Sequence, residues 1–403
     1  MATLYKVLGI ATPVGNTILT GPYAPAESII SSLVICNTTS NIAKANVYIQ
    51  KFGDAITWTT RNSSFGTTGI TALTYPNDIS IDPIFVAGGA SGTLATSTDG
   101  ITWTLRNSGF GANAISALAY ASYSGTYIAA GASGTLSTSN GGIVWTTRTS
   151  TFGTTAINAL TSGNFILVAA GAAGQIRTSS DNGITWVTRT SNFGTSSINA
   201  LTFGNGIYVA AGAGGAIRTS TDSITWTTRL SGTTASFASL TYGNGIYVAG
   251  TSTGVLVTST DSITWSTRSA NFGTSAISAL IYNDISGIYV AAGSGAANAQ
   301  MSTSTDGITW TTRSITLASN TATALTYGNS GGTYLVAGAS GSLSMSGNYT
   351  TGITTQILSN YSIQPNDTKV LTLGITLDSN DYITVNSSIN SALTFTAFGS
   401  EIS

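Results

Sequence analysis

Ser179-Ser180-Asp181-Asn182-Gly183-Ile184-Thr185-Trp186, followed by Val187-Thr188-Arg189, decides the fold of this 403-residue chain because it is one copy of several. It recurs in shortened form as Ser-Thr-Asp-Gly/Ser-Ile-Thr-Trp, and all seven tryptophans, Trp58, Trp103, Trp145, Trp186, Trp226, Trp265 and Trp310, occupy the same place in one copy each. Successive tryptophans lie 39 to 45 residues apart, so one supersecondary unit is being repeated. Each unit reads as four short strands. Residues 198–203 lead through Gly-Asn-Gly into 207–211, a Gly/Ala turn precedes 216–220, and the Asp-containing turn leads into 224–229. Four strands in roughly 40 residues is the make-up of a propeller blade.

Complete units end at Trp103, Trp145, Trp186, Trp226, Trp265 and Trp310, which gives six blades. Three more strands follow at 323–327, 333–337 and 342–346 without a fourth, while an unpaired fourth strand surrounds Trp58 at 56–61. Joining them makes a seventh, composite blade and closes the ring. A solenoid of the same units would need capping repeats that the sequence does not contain.

Residues 1–53 and 349–403 lack the repeat and read as complementary halves of a small antiparallel β-sandwich, with strands at 17–20, 28–36, 44–52, 356–363, 369–374, 382–385 and 392–398. The expectation is an all-β chain in which a seven-bladed propeller, residues 54–348, is inserted into one loop of that sandwich. Blade topology puts both linkers on the face that carries the first loops. Longer first loops at 76–83, 121–125, 283–287 and 328–332 are expected to touch the sandwich or a neighbouring subunit there.

Only 7% of residues are charged and the net charge is -1, so 13 thinly spread basic residues cannot neutralise a phosphate backbone, and nucleic acid is excluded as a partner. Weak colloidal repulsion suits a component fixed in an assembly. Cys36, the only cysteine, stands in an apolar run as a buried structural thiol and allows no intrachain disulfide. The N-terminus lacks the basic and apolar regions of a secretory signal, and no run of 18 apolar residues exists for a membrane span, which points to folding in a reducing cytosol.

Enzyme chemistry finds no support. Histidine is absent, and Glu27 and Glu401, the only glutamates, lie outside the repeats, so no catalytic residue and no cofactor is expected. Asp78, Asp82 and Asp284 offer at most a weak calcium site without a spacing motif, and no metal site is assigned. The repeated residues read as structural. Asp99, Asp181, Asp222, Asp261 and Asp306 accept backbone hydrogen bonds within their turns, and the tryptophans wedge blades apart. Asn140 stands for the aspartate in blade two, and Gly53-Asp54-Ala55-Ile56 is a weaker version in the composite blade.

Arg61, Arg106, Arg148, Arg189, Arg229, Arg268 and Arg313, each three residues after a tryptophan, are expected to bond across blade edges or to interblade loops. Arg177 and Arg218 break the repeat and point to something local. Interblade loops carry Phe65-Gly66, Phe110-Gly111, Phe152-Gly153, Phe193-Gly194 and Phe272-Gly273, with Phe as a plug and Gly for the turn. Loops 230–236 and 314–322 lack this signature and are the expected place for any specific ligand.

The unit at 179–186 resembles the Asp-box, or BNR repeat, of sialidases and of the photosystem II assembly factor family. The resemblance spans roughly 54–348 and implies a propeller, without the sialidase arginine triad or Tyr/Glu pair. The flanks resemble a small β-sandwich met in virion proteins of tailed bacteriophages, through the stretches 23–37, 363–371, 377–385 and 398–402. That resemblance implies a non-enzymatic virion component assembled in the host cytoplasm. The sandwich would dock onto other virion proteins, with a homo-oligomer admitted, and the propeller would be exposed as decoration or adhesin. The alternative is a carbohydrate-binding module of a tail or fibre that recognises a host surface glycan, with a glycan-processing hydrolase as a third reading.

Overall fold

The computed structural model describes residues 6–11, 17–20, 27–51, 58–76, 83–284, 287–295, 297–328, 333–346, 355–377, 381–387 and 393–402. The described strands pair into nine four-stranded sheets. Six are continuous in sequence and run from Ile70 to Arg106, Ile115 to Arg148, Ile157 to Arg189, Ile198 to Arg229, Phe237 to Ser269 and Ile277 to Arg313; they are numbered sheets 1 to 6 here. Sheet 7 is composite. Its first three strands are Ala322–Gly328, Thr333–Gly338 and Ser342–Ser346, and its fourth is Trp58–Asn62, paired antiparallel with Ser346 opposite Trp58.

Sheet 4 illustrates why the unit folds this way. Its strands are Ile198–Gly204, Ile207–Gly212, Ile217–Ser220 and Thr227–Arg229. Asn205 and Gly206 take φ of 48° and 75°, the two left-handed positions that a two-residue hairpin needs to match strand twist. The second strand is apolar without alternation because neighbours cover both of its faces. Its fourth strand starts after the tryptophan, not before it as expected, because the turn residues bond to Asp222 and leave the ladder.

In all seven sheets the first strand slips register just after its opening residue, as between Ile198 and Ala200. The slipped residue turns towards the next sheet. Asn158 Nδ2 donates to Ile198 O at 3.0 Å, Asn199 Nδ2 to Phe237 O at 2.9 Å and Ser239 Oγ, one residue further along, to Ile277 O at 2.8 Å. Thr323 Oγ1 of sheet 7 bonds in the same way to Ile70 O of sheet 1, so the order of contacts among first strands is cyclic.

The remaining two sheets interleave the chain ends. One contains Lys6–Ala11, Leu393–Ile402, Glu27–Asn37 and Thr368–Leu377; the other contains Thr17–Thr20, Asp381–Ser387, Ala43–Lys51 and Thr355–Ile363. Leu33, Ile35 and Phe395 of the first share one buried core with Val47, Ile363, Ile383 and Val385 of the second. Strand Lys6–Ala11 was not anticipated, because its alternation is interrupted by a slip next to Gly9. Parity also corrects Cys36: Leu33 and Ile35 point inwards, so its thiol is only half-buried and accepts a hydrogen bond from Thr368 Oγ1 at 3.3 Å. Residues 77–82, 285–286, 329–332 and both linkers, 52–57 and 347–354, lie outside the described residues, and the contacts expected of the loops at 76–83, 283–287 and 328–332 lie there with them; the loop at 121–125 is described, and its Tyr123 meets Phe165 of sheet 3.

Candidate functional site

The Asp turns are the most repeated polar feature. Asp222 Oδ1 accepts from Ile224 N and Thr225 N, both at 2.8 Å, and from Ser220 Oγ at 2.8 Å. Asp99, Asp181, Asp261 and Asp306 repeat this pattern. The Thr225 N–H leads the bonds that hold the Asp222 carboxyl down at about 2, and the Thr264 N–H does the same for Asp261, also at about 2. For Asp99, Asp181 and Asp306 burial is the largest single influence and pushes upward, but the summed hydrogen bonds outweigh it.

A pH dependence follows. Carboxyls that hold protons less readily when folded than the unfolded value of about 3.9 stabilise fully above about pH 4, and that stabilisation is lost as pH falls towards 2. Calorimetry across pH 2–6 is expected to show the melting temperature falling steeply below pH 4. Asp222→Asn should flatten that fall.

Sheet 2 corrects one reading. Counted back from Trp145, the residue in the aspartate's place is Gly141, and Asn140 aligns with Thr98; Asn140 Oδ1 instead accepts from Thr126 Oγ1 at 3.2 Å. With no carboxylate to receive it, Ser139 Oγ is buried without a partner, whereas the equivalent Ser97, Ser179, Ser220, Ser259 and Ser304 each donate to their aspartate. Ser139→Ala is therefore expected to leave stability unchanged or slightly raised, and Ser220→Ala to lower it by about 1 kcal/mol, in urea unfolding of both variants.

Each described tryptophan shares a core with the preceding sheet: Trp145 with Val86 of sheet 1, Trp186 with Leu136 of sheet 2, Trp226 with Val168 of sheet 3 and Trp58 with Met301 of sheet 6. Six also lock their own turn, the indole N–H donating to the carbonyl three residues back, as Trp226 Nε1 does to Ser223 O at 3.2 Å. The interblade Phe plugs are buried as expected. Beside them are serines the sequence reading missed: Ser108, Ser150, Ser191 and Ser231 Oγ donate to Gly92, Gly134, Gly174 and Gly215 O at 2.5 to 2.7 Å.

The arginines differ from expectation. Arg106, Arg148, Arg189, Arg229, Arg268 and Arg313 bond within their own sheet, Nε donating to Thr96, Thr138, Thr178, Thr219, Thr258 and Thr303 Oγ1 at 2.8 to 3.2 Å. Fourth and third strands are neighbours, so the threonine is nearer than any other sheet. In sheet 7 Met345 stands in the threonine's place, and Arg61 Nε is buried without a partner. Arg177 and Arg218 clamp the preceding interblade loop, stacking over Phe152 at 4.7 Å and Phe193 at 4.8 Å while donating to Thr151 O and Asn192 O.

The two irregular loops differ from each other. Leu317 replaces the Phe plug and is buried, whereas Leu230 is 87% exposed. Asp284 accepts a hydrogen bond from the Tyr327 hydroxyl, and Asp78 and Asp82 lie outside the described residues. Among the described residues no three of His, Cys, Asp and Glu gather, and no helix is long and apolar enough to cross a membrane.

An aromatic tier near the hairpin between first and second strands is a further feature missed in the sequence. Tyr120, Phe203, Tyr242 and Tyr282 end their first strands and stack on Tyr127, Tyr208, Tyr247 and Tyr289 of their own second strands, with ring centroids 4.5 to 4.9 Å apart. The second-strand tyrosines are buried and donate to the preceding sheet, as Tyr247 does to Gly204 O at 2.6 Å. Burial pushes the Tyr208 and Tyr247 hydroxyls up to about 12. Sheet 3 breaks the tier, with Ser162 and Leu167 in the two aromatic places.

No protein-family model matches the chain, and no curated protein aligns with it significantly. Solved structures do. YCF48 from Cyanidioschyzon merolae superposes with a TM-score of 0.55 at 16% identity over 72% of this chain and 98% of that one. The WD40 repeats of RRP9 give 0.59 at 13% over 74% and 99%. A catalytically inactive virginiamycin B lyase from Staphylococcus aureus, solved with quinupristin, gives 0.63 at 14% over 72% and 98%. The repeated sheets are a β-propeller fold. At such identities the likeness carries the fold and no activity.

Proposed function

We propose that the chain is a non-enzymatic structural component of a bacteriophage virion, a seven-bladed propeller carried on a β-sandwich built from the two chain ends. The observation that carries this reading is the double interleaving of the termini. Strands from both ends alternate in the two flanking sheets, and Trp58–Asn62 completes sheet 7, so the propeller is held by both of its ends. Such a mount suits a module fixed to a particle and displayed from it. The absence of catalysis is part of the proposal: the repeated carboxylates are engaged by their own turns, which suits a structural role better than an acid or base role.

An electron-microscopy map of purified particles tests it. Density for the chain, with the sandwich on the particle and the ring outward, is expected; particles that contain no copy of the chain would overturn the reading. Removing residues 54–348 is expected to leave a product that still incorporates.

A further inference from the structure

Sheet 3 carries an exposed aromatic where its neighbours carry glycine. Its first hairpin reads Gly163-Asn164-Phe165, against Gly204-Asn205-Gly206 and Gly243-Asn244-Gly245 in sheets 4 and 5. Phe165 is nevertheless held at φ 62°, a left-handed conformation that is an outlier for a bulky residue. Burial does not compensate it, because the side chain is 72% exposed and is the one exposed aromatic among the described residues of sheets 1 to 7. Strain kept at an exposed side chain points from the conformation towards a use.

The surroundings define that use. Tyr123, from the corresponding hairpin of sheet 2, packs against the core that holds Leu167 and Trp186 and meets Phe165 edge-on, with centroids 5.4 Å apart at 62°. It thus packs beside Leu167, where the other sheets carry an aromatic, and supports one side of the Phe165 ring. The same two hairpins offer the Ser122 hydroxyl and the Asn164 amide, and no cation; Ser124 Oγ donates to Thr126 Oγ1 at 3.1 Å. Burial and, after it, the Asp181 charge both hold the Tyr123 hydroxyl in its protonated form, surroundings that disfavour an anionic ligand. The Asp181 oxygens are engaged by Ser179, Ile184 and Thr185, which disfavours a cation as the occupant.

We propose that Phe165, steadied by Tyr123, is the stacking platform of a subsite for the apolar C–H face of a neutral sugar ring, whose hydroxyls meet the hairpin amide and hydroxyl. The inference stands whether or not the chain belongs to a virion. Saturation-transfer NMR on the full chain with cellotetraose, maltotetraose and chitotetraose tests it. Transfer to ring C–H protons of at least one sugar is expected, falling roughly fivefold or more in Phe165→Gly and persisting in Phe165→Trp. Phe165→Gly should melt no lower than the parent, since glycine accepts φ 62° without strain, so lost transfer is not lost folding. No transfer from the parent chain to any of the three sugars, or equal transfer in Phe165→Gly, overturns the proposal.

Discussion

Replacing Trp226 by alanine is expected to lower stability by about 3–5 kcal/mol in urea unfolding, the range for deleting a large buried aromatic. The indole is 1% exposed, fills the core between sheets 3 and 4, and satisfies Ser223 O. Its removal opens a cavity and frees a turn carbonyl together. Trp145, only half-buried between sheets 1 and 2, provides an internal comparison, and Trp145→Ala should cost clearly less. Equal losses at the two positions would show that the tryptophans act through their turns and not as wedges.

Gly243→Ala is the second large effect. A Cβ there would lie 2.0 Å from Cγ of Tyr282 in the next sheet, and that ring is held in turn by Tyr289, with centroids 4.5 Å apart. The ring base cannot swing aside as a flexible tip would, so overpacking is expected to cost about 3 kcal/mol. Gly245→Ala, at φ 79° with open space around it, should cost only about 1–2 kcal/mol for the left-handed backbone. The chain contains its own rescue. At the places of Gly243 and Tyr282, sheets 2 and 3 carry Ala121 and Ser162, so the added methyl is matched there by the loss of the ring. Tyr282→Ser should therefore recover part of the Gly243→Ala loss, with a coupling of at least about 1 kcal/mol in a double-mutant cycle.

What the sequence revealed and what it hid divide by distance along the chain. Asp222, Ser220 and Trp226 act on partners a few residues away, so their spacing in the sequence already carries their chemistry. The Tyr247 hydroxyl reaches Gly204, 43 residues back, and Asn199 reaches Phe237, 38 residues on. Such ties join equivalent places in successive units and are invisible until the units are stacked. Asn140 misleads because sheet 2 has no aspartate to mark its turn, and only the distance to Trp145 sets the alignment; Asn182, an extra residue in sheet 3, shows that this turn tolerates a change of length. Phe165 is visible in the sequence only as a departure from Gly-Asn-Gly, and its exposure and positive φ are not.

The pairing of Trp58 with Ser346 also imposes an order in time. The partners are 288 residues apart in sequence (346 - 58), whereas sheets 1 to 6 each close over fewer than about 40 residues of contiguous chain. During synthesis those six sheets have all their strands as soon as they emerge, while the strands at 58–62 and before it must wait for residues 342–402. The slowest step of maturation is thus assigned to the joining of residues 6–62 with residues 342–402, and the nascent protein carries an unpaired edge until they meet.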